Sequence, residues 1–164
     1  MTLPRLASVA LVWAAGAAEA QTQPQPQLVD HIVVDKSDRT LTVYMSGEPV
    51  RVITGIQLGD VPEGAKRFQG DERTPEGRYI IDYGNPRSSY HLSLHISYPN
   101  AADEALARSY GRSAGGAIFI HGQPNGVAMR LQGDWTDGCI AVGNDEIEAL
   151  WQSVPDGTTI DILP

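Results

Sequence analysis

From residue 30 onward, apolar and polar positions alternate in short runs, the period-two signature of half-buried strands. Ile32 and Val34 share one face of a first run. Leu41, Val43 and Met45 share one face of a second, with Lys36-Ser37-Asp38 as the turn between them. A third run, Val50 to Ile56, follows a Ser46-Gly47 turn. Further short apolar runs occupy Arg78 to Tyr83, Leu92 to Ile96, Ala117 to Ile120, Cys139 to Val142 and Thr158 to Leu163. Eight short strands separated by Gly, Pro and Asp turns predict a mainly β fold, a sandwich or a barrel. Two segments switch to helical spacing. Asn100 is placed to cap Ala101 to Arg108, and Asn144 to cap Asp145 to Gln152, whose first-turn acids suit the positive end of the helix dipole. Ile147, Leu150 and Trp151 then form a face that packs on the sheet.

The pattern before residue 30 is different. One positive charge, Arg5, precedes the apolar run Leu6 to Ala18, and Ala18-Glu19-Ala20 supplies small residues at the two positions a signal peptidase reads. Residues 1–20 are therefore expected to be a secretory signal peptide, cleaved after Ala20, since about 13 apolar residues fall short of the roughly 20 that span a bilayer. Gln21 to Gln27, reading QTQPQPQ, lacks the apolar content to pack and is expected to be a linker. The remaining residues, 28–164, form one domain without an internal repeat.

Composition narrows the partners. The chain of 164 residues has 12 basic and 20 acidic side chains, a formal charge of -8, and only two lysines, Lys36 and Lys66. That charge argues against nucleic acid and anionic lipid as partners. A single cysteine, Cys139, excludes an internal disulfide and a Cys-rich zinc site. In an exported chain a lone thiol is open to mixed disulfides and oxidation unless it is buried or has a task.

A task is available. Gly138 precedes Cys139 at the mouth of one predicted strand, and His121 closes the strand Ala117 to Ile120, 18 residues earlier. If the two strands pair as antiparallel neighbours, His121 and Cys139 face each other within roughly 5 Å, with the loop Gly122 to Asp137 arching over them. Imidazole can then take the thiol proton so that thiolate attacks a carbonyl, and the amides near Gly138 can stabilise the oxyanion. Taken singly, a strand cysteine is more often a small buried hydrophobe and a strand-end histidine a hydrogen-bonding residue. The pairing of the two gives the catalytic reading its weight.

Ile120-His121-Gly122 and Trp135-Thr136-Asp137-Gly138-Cys139-Ile140, preceded by Arg73-Thr74-Pro75-Glu76-Gly77, resemble the YkuD-type L,D-transpeptidase domain. That family is marked by a Thr-Pro-x-Gly strand entry, a His-Gly and a Ser/Thr-x-Gly-Cys box. The resemblance runs from about Asp30 to the C-terminus. It implies a YkuD-like β-sandwich with two short helices, and a periplasmic or otherwise exported enzyme of cell wall organisation and cell shape. Such an enzyme attacks peptidoglycan stem peptides through a cysteine thioester and needs no metal or organic cofactor. It also implies Cys139 as nucleophile, His121 as base and the Gly122 carbonyl as the group orienting the imidazole. Two positions depart from the family: Asp137 stands where a His is usual, and Ala141 where an Arg is common. Trp-Thr-x-Gly-Cys-Ile-Ala-Val, with Ser97-Tyr98-Pro99-Asn100, is closer to the YafK-like branch. Cross-linking of the 3-3 or an atypical 1-3 kind is the first expectation. The alternatives are hydrolysis on the same residues, as an L,D-carboxypeptidase or an amidase releasing a wall-attached lipoprotein, and a non-catalytic wall-binding module.

Other residues complete the expectations. His95, Tyr98, Thr136 and Asp137 are assigned to the substrate cleft, with Trp135 as a lining or core residue. His91 and His95, four apart, could join His121 in a three-His metal site, but nothing in the spacing fixes such a site. Asp71, Glu72, Asp134 and Asp137 read as a solvated acidic surface, and Gly115-Gly116 as a turn.

Overall fold

The computed structural model describes residues 28–127 and 129–164; the expected signal peptide and linker lie outside the described residues. Eight strands and two helices run in the order β1 (His31–Asp35), β2 (Thr40–Met45), β3 (Glu48–Thr54), β4 (Gly77–Asn85), β5 (Ser93–Ile96), α1 (Ala101–Ser109), β6 (Ile118–His121), β7 (Ile140–Ala141), α2 (Asn144–Ser153) and β8 (Thr158–Leu163). All eight strands join one sheet in the order β3-β2-β1-β8-β4-β5-β6-β7. The sheet curls back on itself. Gln57, just beyond β3 at one edge, bridges to Ala141 of β7 at the other, through bonds of 2.9 and 2.8 Å in the two directions.

The alternation read from the sequence is realised in β1 and β8 and in β2 as far as Val43, where every second residue is buried; Met45 continues that face but is only partly buried. Ile32, Val34, Leu41, Val43, Ile160 and Ile162 are all almost fully buried in one core with Ile96, Ile120 and Ile140. β1 pairs antiparallel with β2 and parallel with β8, so the last strand in sequence lies near the middle of the sheet.

Both helices form where expected. Asn100 caps α1 by accepting from the Ala102 and Asp103 amides, while the Asp103 carboxylate accepts from the Asn100 N–H. α2 begins one residue earlier than its pattern suggested. Gly143 occupies the cap and donates its N–H to the Glu146 carboxylate, which frees the Asn144 side chain to accept from the Gln123 amide instead. Ile147 and Leu150 are buried against the sheet, and the Trp151 ring packs where a side chain at Gly84 would otherwise lie. Among the described residues, no helix is long and apolar enough to cross a membrane.

Candidate active site

His121 ends β6 and Cys139 precedes β7 by one residue. These strands are parallel, not antiparallel as expected, with His121 opposite Ala141. The connection permits this direction: a stretch of 18 residues is long enough for a crossover, whereas a hairpin of only a few residues would not be. Side chains alternate along a strand, so counting back two positions from Ala141 puts Cys139 on the same face as His121. The two are staggered by about 7 Å of strand rather than directly opposed. Both open into one cavity of about 590 Å³.

The imidazole is held in one tautomer. His121 Nδ1 lies 2.7 Å from the Gly122 carbonyl, to which it donates, leaving Nε2 as the free lone pair. Gly122 is in turn fixed by its N–H, which donates to the Tyr90 and Leu92 carbonyls at 3.0 and 3.2 Å. A Cβ at Gly122 would fall 2.6 Å from Asn144 Oδ1, so glycine is required there. His121 is only 3% exposed, and this burial holds the imidazole below its ordinary value of 6.5.

The thiol sits on a turn built by Thr136. Its hydroxyl donates to the Cys139 carbonyl at 2.8 Å and accepts from the Gly138 N–H at 3.2 Å. The Gly138 amide is thus taken up within the turn rather than aimed at an oxyanion. Its glycine is needed for another reason: φ is +120°, and a Cβ would fall 2.5 Å from the Arg73 carbonyl oxygen. The Arg73-Thr74-Pro75 stretch is therefore packed directly against the turn that carries Cys139. Thr74, fully buried, accepts the Gly59 N–H, and the Leu58 carbonyl accepts the N–H groups of Trp135 and Thr136.

Cys139 Sγ lies 3.6 Å from the Ala117 carbonyl. Burial pushes the thiol up to about 11; the Phe119 N–H and the Lys66 charge act in the opposite direction, and the Asp137 charge adds to the rise. An imidazole lowered and a thiol raised both favour their neutral forms at neutral pH.

Of the residues assigned to the cleft, Thr136 and Asp137 line the cavity, and so does Trp135. His95 and Tyr98 do not. His95 bonds Asp82 at 2.6 Å and stacks on Tyr83, while Tyr98 is a core residue whose hydroxyl donates to the Ala114 carbonyl. The three-histidine arrangement is not formed, because His91 pairs with Glu148 and His95 with Asp82, away from His121. Among the described residues, no three His, Cys, Asp or Glu side chains gather as a metal site.

The acidic residues are also not simply a solvated face. Asp71 accepts from Lys66 and from the N–H groups of Arg67, Phe68 and Arg73. Burial works to raise its pKa, but these bonds outweigh it and hold the carboxylate low. Asp134 pairs with Arg39 at 2.6 Å and accepts the Leu58 N–H. Glu72 lines the cavity beside Asp137, and burial, then the Asp137 charge, raises its pKa. Only Asp137 is well exposed.

A buried glutamine pair secures the 122–137 loop. Gln57 Nε2 donates to the Leu131 and Gly133 carbonyls. Gln123 Nε2 donates to Gln57 Oε1 and the Val142 carbonyl, and Gln123 Oε1 accepts the Leu131 N–H. No local pattern marks these residues, because their partners lie up to 76 positions away.

The model of the YkuD family, described as the L,D-transpeptidase catalytic domain, matches residues 29–162. Over 129 residues the chain is 30% identical to YafK of Escherichia coli (strain K12), a protein assigned provisionally to the L,D-transpeptidases; the match covers 76% of this chain and 46% of that one. Among solved structures, the helical cell shape determining protein Pgp2 from Campylobacter jejuni is similar at a TM-score of 0.67 and 30% identity, over 83% of this chain and 47% of that one. Bd1075 from Bdellovibrio bacteriovorus follows at 0.59 and 25%, over 87% and 50%. An L,D-transpeptidase from Mycobacterium smegmatis, 17% identical over 82% of this chain and 58% of that one, shares the fold at a TM-score of 0.55. The chain spans about half the length of YafK, Pgp2 and Bd1075. With the His-Gly and Thr-x-Gly-Cys segments brought to one cavity and the family model covering nearly the whole described domain, the chain belongs to the YkuD family of L,D-transpeptidase catalytic domains.

Proposed function

We propose that this is an exported cysteine L,D-transpeptidase that acts on peptidoglycan stem peptides and forms cross-links during wall remodelling. The observation that carries the reading is the shared cavity of Cys139 and His121, with His121 Nδ1 tied to Gly122 so that Nε2 is the basic nitrogen. In the first half-reaction Nε2 takes the Sγ proton as sulfur attacks the stem-peptide carbonyl carbon. The imidazolium returns that proton to the departing amine of the terminal residue, and a thioester remains. In the second, an amine of another stem loses a proton to Nε2, attacks the thioester, and sulfur leaves and is reprotonated. The chain's own groups supply every proton transfer. Residues 1–20 would direct export and be removed, leaving 21–27 as a linker ahead of the domain, so on this reading the enzyme works in the periplasm or outside the cell.

The test is incubation of the chain, without residues 1–20, with purified disaccharide-tetrapeptide, followed by mass spectrometry. Cross-linked dimers support transfer. Shortened monomers replace transfer by hydrolysis on the same residues. Unchanged substrate with both the wild type and Cys139→Ala overturns the enzymatic reading for that substrate.

A further inference from the structure

Tyr90 has no place in the family motifs quoted above, yet it touches the catalytic base in two independent ways. Its ring stacks on the His121 imidazole, with centroids 4.5 Å apart and planes 29° from parallel, and meets Trp135 at 5.7 Å. Its backbone carbonyl accepts the Gly122 N–H, and it is the Gly122 carbonyl that holds His121 Nδ1. Tyr90 is 38% exposed while His121 is 3% exposed, so the tyrosine ring is a layer between the imidazole and water.

The segment carrying Tyr90, between β4 and β5, is braced from outside the cleft. Asn125 accepts the His91 N–H on Oδ1 and donates to the Ser88 and Ser89 carbonyls. His91 adopts φ +66°, in the left-handed region, and its ring pairs with Glu148 of α2 at 2.7 Å. These bonds use the backbone and the neighbouring residues, leaving the Tyr90 side chain free for the imidazole. The ionisable groups that share the cavity with His121 are Cys139, Lys66, Glu72, Arg87 and Asp137, and Glu148 on the α2 side is engaged by His91.

The geometry points to Tyr90 as a positioning residue: its ring keeps the base dry and in plane while its carbonyl, through Gly122, fixes which nitrogen is basic. The assignment rests on the reading of His121 as the base of the transpeptidase reaction. A covered imidazole would also keep water from the thioester, so the same ring biases the second half-reaction toward an amine acceptor.

The experiment is a titration of the His121 ring by NMR in wild type, Tyr90→Phe and Tyr90→Ala, beside the ratio of hydrolysed to cross-linked product from disaccharide-tetrapeptide. Tyr90→Phe is expected to match wild type in both. In Tyr90→Ala the imidazole is expected to titrate closer to its ordinary value, and hydrolysis to gain severalfold relative to transfer. An unchanged titration in folded Tyr90→Ala overturns the proposal. Should that variant not fold, Tyr90→Leu decides, with a smaller rise in the same direction expected and no rise overturning it. The titration needs no substrate, so a failure of the transpeptidase reading would appear as absent product while the NMR result still judged Tyr90.

Discussion

Two regions of this domain are built by different means. In β1, β2 and β8, alternate residues are buried, and the side chains that fill the core lie in the rows their spacing dictates. Around β6 and β7 that regularity breaks. Ile120 and His121 are both buried, β7 is two residues long, and the turn carrying Cys139 is held by bonds to Leu58 and Asp60 and packed against Arg73. The first region is stabilised by burial of apolar surface, which tolerates small shifts. The second depends on particular donors and acceptors, where a displaced atom leaves a buried polar group unpaired. The proposed chemistry falls in the region with the greater positional constraint.

Substitutions should separate the two. The largest effect is expected from Cys139→Ala, which should reduce product formation to background while changing stability by less than about 1 kcal/mol in urea unfolding. His121→Gln should lower turnover by roughly 10²–10⁴-fold, the usual contribution of a general base. In the regular region, Ile160→Ala should cost about 2–5 kcal/mol without altering the pH profile of Cys139 alkylation. Gln123→Ala, in the cleft region, should cost less, about 1–3 kcal/mol, yet change that profile, because the loop over the thiol loses its brace. If Ile160→Ala perturbs alkylation as much as Gln123→Ala does, the two regions are not separable. The smallest effect is that of Asn100→Ala, about 1 kcal/mol from the lost cap of α1 and none on the cleft.

The pH dependence sharpens the same contrast. Nε2 works only when unprotonated, and burial holds the imidazole below 6.5, so activity should persist as pH falls through 6.5 and be lost only at lower pH. Alkylation of Cys139 should be slow at neutral pH and climb toward pH 11. A thiol that reacts faster than an ordinary one at pH 7 would contradict the neutral resting pair.

The regular region was legible from the chain because alternation and burial are local properties: β1, β2, β8 and the Ile147 and Leu150 face all appear where the spacing puts them. In the cleft, the family motifs and the cysteine count pointed to His121, Gly122, Gly138 and Cys139, and all four lie at the site. The direction of β7 was not legible, since period-two alternation is the same for parallel and antiparallel neighbours. Tyr98 continues the buried face of Ile96 into the core, and His95 finds a carboxylate on β4, so position along the chain did not say which side of the sheet either one serves. Tyr90, Lys66 with Asp71, and the Gln57–Gln123 pair act through contacts that no local spacing records.

The position of β8 has a further consequence, for how the domain comes to exist. Thr158–Leu163 pairs with β1 on one side and β4 on the other, so the strands on either side of it have no ladder joining them until residue 163 has emerged from the ribosome. Before that moment β1 and β4 would each present an unpaired edge, the arrangement most open to pairing with another chain. Closure of the sheet therefore waits on β8 and on long-range contacts, and until that strand is available the β1 and β4 edges need to be shielded or kept apart.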